Sequence, residues 1–82
     1  MEAKFFQFDR RKLISRGKEI YQSIKEELEP KHKGEIIAIE VDSGDYFLGE
    51  TVIEAGTKAR EKYPDKVFYF VRVGFPAVYV HR

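Results

Sequence analysis

The residues best suited to chemistry lie in the middle of the chain, in Glu40-Val41-Asp42-Ser43-Gly44-Asp45. Asp42-Ser43-Gly44 follows an apolar run and has the D-[ST]-G pattern of aspartic proteases, in which a loop carboxylate shares one proton with a second carboxylate. One chain supplies one such triplet, so a hydrolase built on Asp42 requires a dimer. Turn chemistry also selects Asp, Ser and Gly for its own reasons, and a polar hairpin turn accounts for the triplet without catalysis. Glu40, Asp42 and Asp45 are hard oxygen ligands, but their spacing does not fit a twelve-residue EF-hand loop. A solvated turn is the favoured account of them. His32 and His81 stand at no metal-ligand spacing with another His or a Cys. Ser15, Ser23 and Ser43 lack a nucleophile-elbow context, and no Gly-rich phosphate loop is present. The reading is therefore of a protein that is not an enzyme, with no cofactor and no metal.

Two further groups of residues suit binding. Arg72 alternates with Phe68 and Phe70 on one face of an otherwise apolar run, Lys66–Gly74. A charge there has to reach water, pair with a carboxylate such as Glu40 on the neighbouring strand, or meet a partner. With Tyr69 or Phe70 beside it, Arg72 also suggests the aromatic-plus-basic surface on which single-stranded nucleic acid stacks. Arg10, Arg11, Lys12, Arg16 and Lys18 would suit phosphate contacts. Leu13, Ile14 and Gly17 between them look like packing positions, however, and Glu26–Glu29 would repel a long backbone track.

These residues need elements to hold them. Asp9 has the position of a helix N-cap, with Phe8 and Leu13 at hydrophobic-staple spacing. From Arg10 to Glu29, Leu13, Ile14, Gly17, Ile20, Tyr21, Ile24 and Leu28 share one helical stripe. Gly17 costs a helix about 1 kcal/mol relative to Ala, so a close approach or a bend is expected there. The charges oppose the helix dipole, basic at the start and acidic at the end, which leaves packing to stabilise the helix. Pro30 is expected to end it. Glu35 to Asp42 reads as a strand, Ser43-Gly44 as a turn, and Tyr46–Gly49 as the returning strand of a hairpin. Thr51-x-x-Glu54 is a capping box that opens a second helix, whose Val52, Ala55, Gly56, Ala59 and Tyr63 fall on one face. Pro64 stops it. In Lys66–Gly74, Val67, Tyr69, Val71 and Val73 point one way and Phe68, Phe70 and Arg72 the other, as an interior strand requires. Ala77–Arg82 completes the set as a fourth strand.

The element order α-β-β-α-β-(β) predicts an α+β protein, a two-layer α/β sandwich. Its mostly antiparallel sheet of three to four strands has the order 2-1-3-4 and a split β-α-β crossover. The second helix covers one sheet face; the first helix or a second subunit is expected on the other. Residues 1–82 form a single domain, divided into an N-terminal segment and helix (1–30) and a β-β-α-β-(β) core (34–82).

Within that core, G-x-[IV]-[IV]-A-[IL]-x-[IV]-D-S-G-D-Y-F, a T-x-x-E-A helix with K-A-R-x-K-Y-P-D-K, and V-F-Y-F-V-R-[IV]-G-[YF]-P-A-V run from Gly34 to Val78. This stretch resembles a family of small prokaryotic proteins of uncharacterised role, built as a β-β-α-β unit. The resemblance implies a protein partner and brings no catalytic residues.

Bulk composition agrees with a binding role. The 82 residues carry a net charge of +1 and no Cys. A domain this small buries only about 60–65% of the surface its unfolded chain exposes, so self-association would support it. Charge is segregated, at +4 over residues 1–18 and −5 over 35–65. No run of 18 apolar residues and no signal peptide appears, and a cytoplasmic, membrane-free protein is expected. The leading expectation is a protein–protein interaction or oligomerisation module, a homo-oligomer or one half of a pair with a small protein. Its candidate contact residues are Arg72, Tyr69, Phe70, Leu13, Gly17, Ile20 and Ile24. Nucleic-acid binding is the alternative and an Asp42 hydrolase the weaker one.

Overall fold

In the computed structural model, residues 9–75 are described in full and 78–81 by their backbone alone. Helix α1 spans Arg10–His32. Asp9 caps it as the sequence requires, its carboxylate accepting from the Arg11 amide at 3.0 Å and the Lys12 amide at 3.3 Å. Phe8, the other half of the expected staple, lies outside the described residues. The helix does not end at Pro30; it carries Pro30 in its last turn and runs on to His32. Proline removes its own N–H donor and crowds the carbonyl four residues back, but only Lys31 and His32 follow it, and the final turn continues past it. Gly34 then reverses the chain with φ +92°, a conformation that suits glycine.

Strand β1 is Ile36–Ile39, β2 is Tyr46–Gly49 and β3 is Phe68–Arg72. The first and third strands are shorter than the sequence suggests: Glu40 already belongs to a loop, and Val73 enters the turn after β3 while still accepting from the Gly34 amide and donating to the Glu35 carbonyl, both at 2.8 Å. Helix α2, Val52–Lys62, starts at Thr51, whose hydroxyl accepts from the Glu54 amide at 3.0 Å. The reciprocal arm of the capping box reaches one residue further back, Glu54 accepting from the Glu50 amide at 2.7 Å. The final strand, β4, is Val78–His81.

Strand β1 runs between β2 and β3 and is antiparallel to both. The protein is thus α+β, with a three-stranded antiparallel sheet β2-β1-β3 and α2 bridging the two strands that flank β1. Both sheet faces are apolar because both are covered. Leu13 and Leu28 of α1 are buried with Ile37, Ile39, Val41, Tyr69, Val71 and Val73 on one face. Ala55 and Ala59 of α2 are buried with Ile36, Ala38, Phe68 and Phe70 on the other. The expected two-layer sandwich is corrected to helix, sheet, helix: the long stripe on α1 is wide enough to cover the second face itself.

Small residues set the helix distances. A Cβ on Gly17 would lie 2.2 Å from Cγ of Tyr69, so α1 crosses β3 with its backbone resting on that ring. On the other face Gly56 is buried, and a Cβ there would sit 3.4 Å from the Phe70 ring. The sequence predicted a close approach at Gly17, and Tyr69 supplies it.

Candidate functional site

The loop that the sequence marks for chemistry is held from four directions. Glu40 is 2% exposed, yet its carboxylate is satisfied, accepting from the Asp42 amide at 3.2 Å and the Ser43 amide at 2.9 Å. The Ser43 hydroxyl accepts from the Asp45 amide at 3.1 Å. Gly44 takes φ +84° and donates its amide to the Glu40 carbonyl at 2.8 Å. From α1, Arg16 donates through Nε and Nη2 to the Val41 carbonyl at 3.2 and 3.0 Å. Lys66 Nζ donates to Asp42 at 2.9 Å, Lys62 Nζ to Asp45 at 3.1 Å, and the Tyr63 hydroxyl also donates to Asp45.

The electrostatics follow from these partners. The hydrogen bond and charge of Lys66 hold the Asp42 carboxyl below its usual range, helped by Arg16 and Lys12. The Tyr63 hydroxyl and then Lys62 do the same for Asp45. Lys62 and Lys66 are correspondingly raised by their carboxylate partners. In an aspartic hydrolase two adjacent carboxyls share one proton, whereas here Asp42 and Asp45 each face a lysine of their own chain. Among the described residues no group of three His, Asp or Glu side chains is placed to hold a metal ion. The geometry is that of a locked polar turn, and part of the basic start of the chain meets the acidic middle here.

Arg72 resolves differently from the cross-strand pair with Glu40. The β1–β3 register sets Arg72 opposite Ile36, at the end of β1 remote from Glu40. Its guanidinium instead donates from Nη1 to the Gly34 carbonyl at 2.8 Å, tying β3 to the turn after α1. The other candidate contact residues are divided between the two faces of the sheet. Leu13, Gly17 and Tyr69 are buried beneath α1, Phe70 is buried beneath α2, and Ile20 and Ile24 are half-buried along α1. They do not form one surface. His32 Nδ1 lies 3.1 Å from Glu35, while the His81 side chain lies outside the described residues.

A different place gathers binding groups. Between the second half of α1 and β3 lies a cleft of about 470 Å³. Lys18, Tyr21, Gln22, Lys25 and Glu29 line it from α1, Tyr69 and Val71 from β3, and Gly74 and Phe75 from the turn beyond. The Tyr21 hydroxyl pins the two walls together, donating to Glu29 at 3.1 Å and accepting from the Gly74 amide at 2.9 Å. Burial first, and then Glu29, raise the Tyr21 phenol above its ordinary value, against the lowering effect of the Gly74 amide. Tyr69 is 1% exposed, and its hydroxyl has no hydrogen-bond partner among the described residues. Burial raises that phenol too. At the rim Phe75 is 44% exposed, with Lys33 Nζ 5.8 Å from its ring centre.

Sequence reasoning placed Tyr21 in the packing stripe and Tyr69 on the correct strand face, but not this cleft. The signal was a second stripe on α1: Lys18, Tyr21 or Gln22, Lys25 and Glu29 recur at helical spacing beside the apolar one. What the stripe faces depends on β3 and on the turn at Gly74, which are distant in the chain. Among the described residues no helix is long and apolar enough to cross a membrane. Compared with protein-family models, curated proteins and solved structures, the chain finds no match in any of the three.

Proposed function

We propose that this protein is a small, non-catalytic interaction module that binds another polypeptide, a second copy or a small protein partner. The observation that carries the reading is the buried Tyr69 hydroxyl, without a hydrogen-bond partner among the described residues, in the cleft between α1 and β3 rimmed by Lys18, Lys25 and the exposed Phe75. Buried polar groups ordinarily find partners, and one without invites a group from outside the chain. The reading also takes the sheet as four strands in the order 2-1-3-4, supported by the antiparallel register of β4 along β3, Tyr69 opposite Val80 and Val71 opposite Val78. A fourth strand would place β3 inside the sheet. It would leave β2 and β4 as edges, a second route to self-association. Membership of the small prokaryotic family is part of the same proposal, as is a cytoplasmic setting, for which the absence of Cys gives support.

The test is sedimentation over a concentration series to tens of micromolar, together with photo-crosslinking from native lysate at several surface positions. Self-association or a recurring protein adduct is the expected result. A strict monomer with no protein adduct at any position would overturn the reading.

One observation favours a second reading, nucleic-acid binding. Arg10, Arg11, Lys12 and Lys18 are exposed along α1 and make no ion pair among the described residues. Salt-dependent binding of single-stranded RNA or DNA that weakens on Arg10→Ala and Arg11→Ala substitution would support it; no binding at low salt would end it.

A further inference from the structure

From the same cleft, and resting on the interaction reading, we infer the chemistry of the partner: an acidic peptide segment carrying an aromatic side chain. Lys18 and Lys25 stand two turns apart on one helical stripe, a separation of about 10.5 Å along the axis. Neither has an acidic partner within ion-pair distance among the described residues. Lysine stems are long enough for both ammonium groups to converge on a carboxylate placed between them. That carboxylate would arrive above Tyr69, whose buried hydroxyl has no acceptor among the described residues. Two cations and one phenolic donor then meet one anion, a pairing stronger than hydrogen bonds between neutral groups.

The rest of the rim defines what stands beside the carboxylate. Phe75 offers an exposed ring at the mouth and suits an aromatic neighbour in edge or offset contact. Glu29 lies at the far end of the cleft with its charge directed to Tyr21, so it repels a ligand that is anionic along its whole length. This distinguishes a peptide with a local acidic group from a continuous phosphate backbone, which would set successive anions against Glu29. The cleft therefore favours peptide over single-stranded nucleic acid.

The experiment titrates the ¹⁵N-labelled full chain with a blocked hexapeptide containing two glutamates flanked by phenylalanines. The same sequence with glutamine in place of glutamate, the same with lysine, and a dT oligonucleotide of twelve residues serve as the other arms. Amide shifts should centre on Lys18, Tyr21, Lys25 and Gly74 with the glutamate peptide. The glutamine peptide should bind at least tenfold more weakly, and the lysine peptide should not bind. Lys18→Gln with Lys25→Gln should weaken the glutamate peptide about tenfold or more, and Tyr69→Phe should weaken it severalfold while leaving the free protein folded. Equal binding of the glutamate and glutamine peptides, shifts centred elsewhere, or binding of the oligonucleotide alone would each overturn the inference. If crosslinking finds a protein partner at another surface and the cleft shifts with no peptide, the interaction reading stands and this inference fails; if neither responds, both fail.

Discussion

Gly17→Ala separates two accounts of the same residue. In an exposed helix interior the substitution stabilises by about 1 kcal/mol, because glycine loses more backbone entropy on folding than alanine does. At this position the added Cβ would lie 2.2, 2.4 and 2.7 Å from Cγ, Cδ2 and Cδ1 of Tyr69. Carbon atoms prefer a separation of about 3.5 Å, so the ring and the helix must part by roughly 1.3 Å. Tyr69 is 1% exposed and is held in the cluster that includes Leu13, Ile39 and Val71, which leaves little room for the ring to yield. Overpacking of this kind costs about 1–3 kcal/mol. It acts on the contact surface of α1, a helix whose own charges oppose its dipole, and the expected net result is destabilisation by about 1–2 kcal/mol. Urea denaturation followed by far-ultraviolet circular dichroism measures it. The control is the same change in a Tyr69→Ala background, where the ring is gone and Gly17→Ala should become neutral or stabilising. A Gly17→Ala protein more stable than the parent would refute the argument that α1 is seated on Tyr69.

Three further outcomes follow from the geometry. Glu40→Gln keeps the size of the side chain but turns an amide NH₂ toward one of two backbone donors, so stability should fall by about 1–3 kcal/mol, readable by thermal denaturation. Tyr21→Phe leaves the Gly74 amide without its acceptor; hydrogen exchange at Gly74 should accelerate at least tenfold, while exchange in β1 stays slow if the sheet is intact. The pH dependence has a defined sign. Asp42 and Asp45 have folded-state pKa values below the ordinary 3.8 of an aspartate. Their contribution to stability is therefore fully present above that value and lost as pH falls through the lower folded values. Lys62 and Lys66 have folded values above the ordinary 10.5, so their contribution is present below that pH and lost as it rises through the higher folded values. Acid unfolding that is unchanged in an Asp42→Asn, Asp45→Asn double variant would contradict the clamp on the loop.

Much of the local structure was legible because it rests on short-range chemistry. Asp9 and Thr51 cap their helices as their side chains dictate, since a cap needs only amides two or three residues away. The two faces of β3 follow from strict alternation, and the structure keeps Tyr69, Val71 and Val73 apart from Phe68 and Phe70. Pro30 misled because the rule against proline describes helix interiors, and here only Lys31 and His32 lie beyond it in the helix. Arg72 was flagged as the residue needing an explanation, but its partner is a backbone carbonyl, Gly34, that no charge pattern could nominate.

The sequence by itself determined the elements, their apolar faces and the expectation that something would lie against Gly17, because periodicity, caps and turn residues act over a few positions. The register of β1 against β3 was a tertiary decision, and it sent Arg72 to Gly34 and left Glu40 to its own loop. Packing of α1 on the second face was tertiary as well: the stripe predicted burial, and only the fold set it against β3. The cleft belongs wholly to that choice. Lys18, Tyr21 and Lys25 are ordinary helix residues until the turn at Gly74 and Phe75 is brought beside them. The contact that brings it there, from the Gly74 amide to the Tyr21 hydroxyl, spans 53 positions of chain.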